Sequence, residues 1–127
     1  VGKLVRYHAE DIDIFVGDIF AVSAEYLGSI NAIYDRAALV ALPACVRRHY
    51  TSHLVSITGT APQLLITYEY DPLLMDGPPF SVNEDEVKQH YAAAYQLKLV
   101  DSKDVTGGLK GKVMSTEIAW LLQEKIG

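Results

Sequence analysis

Thirteen residues, YEYDPLLMDGPPF at 68–80, hold three prolines, one glycine and two aspartates. No other stretch limits the fold so strongly. Each proline fixes φ, donates no backbone N–H and pushes the residue before it toward extended geometry. The segment is therefore a stiff, non-helical connection. An apolar run, Leu64 to Tyr68, leads into it, and a helix-start signal follows it. Asn83 and Glu86 stand at capping-box spacing, with Val82 and Val87 placed as a hydrophobic staple. Stiffness between a strand and a helix is either a turn device or the wall of a pocket.

The remaining pattern decides which elements surround that wall. Residues 3–8 and 12–16 alternate apolar and polar side chains around AED, which predicts a short hairpin ending at Gly17 and Asp18. Ala32, Ile33 and Tyr34 read as a short buried strand that stops at Asp35 and Arg36. Pro43 then suits a first helical turn, Leu42, Val46, Tyr50, Leu54 and Ile57 recur at helical spacing, and Gly59 is a natural C-terminal cap. Residues 64–68 read as a second buried strand, and a further helix is predicted from Asn83 to about Tyr91. Two closing apolar runs, 95–100 and 117–122, flank DVTGGLKGK and read as an antiparallel terminal pair.

This order predicts an α/β sandwich, a mostly parallel sheet with an antiparallel terminal strand. At 127 residues, half of them hydrophobic, the whole chain, 1–127, is expected to form a single domain. In such sheets ligands sit beyond the carboxyl ends of the strands. That rule sets Gly17-Asp18-Ile19, Asp35-Arg36 and residues 71–80 along one edge, so the proline segment is read as a pocket wall. A net charge of −5 leaves no basic footprint for nucleic acid. Pro43 and Arg47 interrupt the best apolar stretch, so no membrane span is expected. A lone cysteine, Cys45, fits a reducing cytoplasm.

Three stretches taken together, GDIFAV (17–22), YDRAALVALP (34–43) and YDPLLMDGPPFSV (70–82), resemble the thiopurine S-methyltransferase family, with the terminal GLKG looking like its bacterial members. The resemblance implies the C-terminal part of a class I S-adenosylmethionine-dependent methyltransferase fold, Rossmann-like, lacking the first two strands. It also implies S-adenosylmethionine as methyl donor and an aromatic or heterocyclic thiol, or a selenium or tellurium compound, as acceptor. The family's glycine turn for the cofactor's amino-acid end, and its acidic residue for the ribose, have no counterpart here. A gap is then expected between IDIFV and NAIYD, with open edges that invite a homodimer, a strand swap or completion by a separate N-terminal piece. The 127 residues alone are expected to be inactive. The alternative is a truncated, non-catalytic, self-associating α/β module.

By the same resemblance Arg36 lies beside both cofactor and acceptor sulfur, where a guanidinium would keep a thiolate available. A scaffold pair between Arg36 and Asp35 is the plainer reading of the two residues. Asp18 and Ile19 match the adenine side of the cofactor, a polar group for the amine and an apolar one for the ring; turn chemistry alone also explains Gly-Asp after a strand. Pro78, Pro79 and Phe80 would line the acceptor site, and Lys110 could hold an anionic acceptor. Two other patterns carry less. GLKGKV is short of a phosphate loop by one residue and has Val113 where Ser or Thr belongs. Cys45, His49 and His53 share helical spacing but find no fourth ligand, so no metal is expected.

Overall fold

The alternation at the start of the chain folds as a hairpin. Strands β1 (Val5–Ala9) and β2 (Ile12–Val16) pair antiparallel, with Val5 opposite Val16 and Ala9 opposite Ile12. Arg6 donates to both carboxylate oxygens of Asp13, at 3.2 and 3.1 Å, and His8 pairs with the same carboxylate. The hairpin is a two-stranded sheet of its own. The structure, a computed structural model, describes residues 3–111 and 113–125.

Two short pieces that the apolar pattern does not announce follow the hairpin. A 3-10 turn, Ile19–Ala21, starts at Asp18, whose carboxylate accepts the Phe20 N–H at 2.9 Å. A single helical turn, α1 (Ala24–Leu27), comes next. The main body is then β3 (Ile33–Asp35), a 3-10 turn at Leu39–Ala41, α2 (Ala44–Thr58), β4 (Gln63–Glu69), α3 (Glu84–Tyr91), β5 (Gln96–Asp104) and β6 (Thr116–Gln123). Helix α2 ends as its sequence predicts, at Gly59 with φ +64°, a conformation glycine reaches without a Cβ penalty. Asn83 caps α3 by accepting the Glu86 N–H at 2.9 Å, while the staple residues Val82 and Val87 are fully buried. Glu86 does not turn back to close the box; its carboxylate faces α2 instead.

The four-stranded sheet runs β3-β4-β6-β5. Strands β3, β4 and β5 run in one direction and the terminal strand β6 is antiparallel, as predicted, but β6 lies inside this mixed sheet rather than at its edge. Only β3 and β4 pair in parallel; β6 is antiparallel to both β4 and β5. The cause is topological. The crossover through α3 returns β5 in the direction of β4, and β6 then inserts between those two strands instead of adding at an edge.

One face of this sheet carries the core. Leu65, Ile118, Trp120 and Leu122 point toward α2 and α3 and pack with Leu54 and Tyr91. Complete burial of such side chains contributes about 1.5–3 kcal/mol each. The opposite face is open, with Tyr34 62% and Leu64 38% exposed. Strands β3 and β4 are therefore covered on one side only, not buried on both as their apolar runs suggest. Among the described residues no helix is long and apolar enough to cross a membrane.

One polar side chain ties the layers. Arg47 of α2, 6% exposed, donates Nε to Glu86 at 2.6 Å and Nη2 to the other carboxylate oxygen at 3.1 Å. Its Nη1 donates to the Leu42 carbonyl at 2.7 Å, and its guanidinium lies 5.6 Å from the Phe80 ring centre. His90 sits against the same carboxylate at 2.9 Å. The predicted apolar stripe of α2 thus includes a buried charge, and Arg47 takes a core position that Val46, only half-buried, does not. Cutting one partner from such a pair strands the other charge. Arg47→Ala is expected to lower the unfolding free energy by about 3 kcal/mol in a urea titration. The exposed neighbour change Arg48→Ala should stay within about 0.5 kcal/mol.

Candidate functional site

Parity along β3 separates two adjacent charges. Asp35 points into the core and is 3% exposed, whereas Arg36, one residue on, is exposed on the open side of the sheet. The scaffold pairing of Arg36 with Asp35 is not what forms. Asp35 accepts the Tyr50 hydroxyl at 2.8 Å with one oxygen and the Leu39 N–H at 3.2 Å with the other. Burial pushes its carboxyl above the usual range, and its hydrogen bonds to Tyr50 and the backbone act against that. Burial first, and then the Asp35 charge, pushes the Tyr50 phenol well above its ordinary value.

Arg36 has a different set of neighbours. The Tyr34 hydroxyl chiefly, and then Tyr68 and Glu117, raise the guanidinium pKa above its ordinary value. Tyr68 donates to Glu117 at 3.4 Å, and Lys103 reaches the other oxygen of that carboxylate at 3.6 Å. Tyr34, Tyr68 and Glu117 went unpredicted. The signal for them is period two: Leu64, Ile66 and Tyr68 share a face of β4, and Glu117 lies opposite Tyr68 in the β4–β6 ladder.

The proline segment lies beside this group. Residues 71–83 contain no helix or strand, as their prolines require. Tyr68 accepts the Val82 N–H at 2.8 Å, and the Phe80 N–H donates to the Val40 carbonyl at 2.6 Å, which joins the segment to the turn after β3. Tyr70 donates its hydroxyl to the Pro79 carbonyl at 2.7 Å. It also forms a small apolar cluster with Leu109 and Val113, on which Tyr68 and Met75 pack. Lys110, exposed and with φ +54°, follows Leu109 in the hairpin between β5 and β6. Arg36, the proline segment and the Lys110 hairpin are thus linked through Tyr68 and Tyr70.

Phe80 does not face Arg36. Its ring is half-buried on the helix side under Arg47, and a Cβ on Gly77 would meet it at 2.7 Å. Asp18 and Ile19 are held elsewhere, by α2. The Ile19 carbonyl contacts His53 Nε2 at 3.0 Å, and the Phe20 ring packs tilted by 53° against the His53 ring with centres 5.4 Å apart. Ile19 borders an apolar recess of about 290 Å³ between the hairpin and α2, lined also by Phe15, Val22, Leu54 and Ile57. Of the spaced trio on α2, Cys45 and His49 are exposed and His53 serves this docking.

Residues 2–125 match the sequence model of the family described as Thiopurine S-methyltransferase (TPMT). The chain belongs to the thiopurine S-methyltransferase family. It is 49% identical over 122 residues to the "Thiopurine S-methyltransferase" of Xanthobacter autotrophicus, covering 96% of this chain and 57% of that protein. It is 51% identical over 120 residues to the protein of that name from Teredinibacter turnerae, covering 94% and 56%. A Pseudomonas aeruginosa protein of the same name is 38% identical over 122 residues, covering 95% and 56%. The chain spans just over half the length of these relatives. The family expected from the motifs at 17–22, 34–43 and 70–82 is therefore the family found.

The buried carboxyl has a measurable signature. With its pKa raised in the fold, Asp35 contributes stability that is present below its unfolded pKa of about 4 and is lost as pH rises through the folded value. Asp35→Asn removes this dependence. Urea titrations from about pH 4 to about pH 7 should show the wild type losing ground to the variant as pH rises. A constant difference would mean that Asp35 titrates alike folded and unfolded.

Proposed function

We propose that the protein is an S-adenosylmethionine-dependent S-methyltransferase of thiopurine type, acting on an aromatic or heterocyclic thiol or a related selenium or tellurium compound. One observation carries the reading. The Arg36 guanidinium, exposed past the end of β3, is influenced by Tyr34 first and then by Tyr68 and Glu117, and Tyr68 packs on the buried apolar group of Tyr70, Leu109 and Val113. A cation beside a thiol favours its ionised form. The names of the relatives agree with that chemistry.

When bound, S-adenosylmethionine supplies the methyl group on a sulfonium, and its residues for the adenine end are to be sought at Asp18 and Ile19. They fit that role. Ile19 offers an apolar edge, 38% exposed, on a recess of aliphatic and aromatic side chains, and Asp18 is an exposed carboxylate that can accept from an amine. Arg36 would hold the acceptor as a thiolate, with Pro78, Pro79 and the Tyr70 side confining the ring and Lys110 meeting an anionic substituent. The acceptor would bind as its thiolate, its proton having passed to water, and transfer of the methyl group to its sulfur would leave S-adenosylhomocysteine with no covalent enzyme intermediate. Rate would come from placement and from keeping the thiolate available.

Titration calorimetry of the full-length gene product with S-adenosylhomocysteine tests cofactor binding; the expected result is saturable heat, and none at high micromolar ligand would overturn the reading. Methyl transfer to thiophenol tests the chemistry. Arg36→Ala is expected to lower kcat/KM about 100-fold, the scale seen when one preorganised charge partner is removed. Because Arg36 is exposed, its thermal midpoint should hardly move. Undiminished turnover in this variant would remove Arg36 from the mechanism.

A second reading, a non-catalytic module that self-associates through its sheet, draws on the open face, where Tyr34 and Leu64 are exposed. Light-scattering mass separates the two. A stable dimer that ignores S-adenosylhomocysteine supports the module, and a species that binds the ligand supports the enzyme.

A further inference from the structure

The turn that presents Arg36 adopts a backbone conformation its residues do not favour by themselves. Ala37 has φ +66°, the left-handed region in which a Cβ crowds the following carbonyl. A conformation of this kind persists only where surrounding contacts over-determine it. Here the contacts are identifiable. The Leu39 N–H is taken by one Asp35 oxygen at 3.2 Å, and the other oxygen receives the Tyr50 hydroxyl from α2 at 2.8 Å. The next carbonyls are fixed as well, Val40 by the Phe80 N–H at 2.6 Å and Leu42 by Arg47 at 2.7 Å.

A carboxylate only 3% exposed is a costly way to fill space between a strand and a helix. Its use lies in its two acceptor directions, which an apolar side chain of the same volume would lack. Asp35 and Arg36 are consecutive, so the backbone that Asp35 anchors is the backbone from which Arg36 projects to the other face. Resting on the role of Arg36 proposed above, we infer that Asp35, held by Tyr50, is a positioning residue that locks the left-handed turn and thereby sets the Arg36 guanidinium beside the acceptor site. Asp35 touches neither acceptor nor cofactor in this scheme. It acts through Arg36.

Two kinds of measurement on the full-length protein decide this. The first needs no activity: amide hydrogen exchange followed by NMR. In Asp35→Ala the Leu39 amide should exchange at least tenfold faster while the β4–β6 ladder amides keep their protection; unchanged Leu39 protection overturns the inference. If Asp35→Ala does not fold, Tyr50→Phe, which removes only a hydroxyl, is expected to speed Leu39 exchange about threefold, and no change there overturns it equally. The second is kinetic. Tyr50→Phe should lower kcat for thiophenol methylation about tenfold with Arg36 present and less than twofold in an Arg36→Ala background, since residues acting as one unit are non-additive. Equal losses in both backgrounds would show a general structural effect and overturn positioning through Arg36. Absence of methyl transfer by the wild type would sink the proposed function, and the exchange data would still decide whether Asp35 locks the turn.

Discussion

A guanidinium that is nearly out of water must find partners for its charge and its donors, and Arg47 draws its partners from three segments outside its own helix. Glu86 belongs to α3, the Leu42 carbonyl to the turn after β3, and the Phe80 ring to the proline segment. A buried charge is costly unless each donor is met, so these elements are held together or not at all. The consequence reaches past stability. The two segments that flank the candidate site, the turn after β3 and the segment after β4, are set against each other by a residue on the far side of the sheet from Arg36.

The same division organises the sheet. Side chains alternate across a strand, so one register serves two purposes at once. Leu65, Trp120 and Leu122 fasten the helices, while Tyr68 and Glu117, from the intervening positions of the same strands, stand around Arg36. Asp35 and Arg36 show the arrangement at its smallest scale. The inward residue spends its charge on Tyr50 and a backbone N–H, and the outward residue keeps its guanidinium near solvent. A shift of one residue in the β3–β4 pairing would exchange them, burying an arginine beneath α2 and exposing the carboxylate that holds the turn.

Much of this was legible in the sequence because local chemistry and final structure agree. Gly59 ends α2, Asn83 starts α3, Val82 and Val87 form the staple's buried pair, and the prolines keep 71–83 irregular. The family too was legible, since its motifs lie in these same connections. What escaped depends on long-range pairing. The place of β6, between β4 and β5 rather than at an edge, cannot be read from the apolar runs alone. The surroundings of Arg36 escaped for the same reason: Glu117, far along the chain, is brought to that side of the sheet only by the pairing of β6 with β4. Arg47 escaped because a charge at a core position of a helix contradicts the apolar stripe until its partners are known.

The position of the proline segment decides how the two halves of the site can respond to change. Its Phe80 ring belongs to the Arg47 layer and its Pro79 carbonyl to Tyr70 on the open side, so a disturbance on either face is passed through one stiff stretch of backbone. Proline removes most of the φ freedom that would otherwise absorb such a disturbance. Asp18 and Ile19 lack this coupling: they ride on a 3-10 turn docked to α2 by His53, with an exposed carboxylate and no proline to stiffen them. The proline segment is therefore built as a rigid wall and the Asp18–Ile19 turn as a separately docked piece. Substitutions at the α2–α3 seam should reach the first, and changes in the packing of Phe20 on His53 should reach only the second.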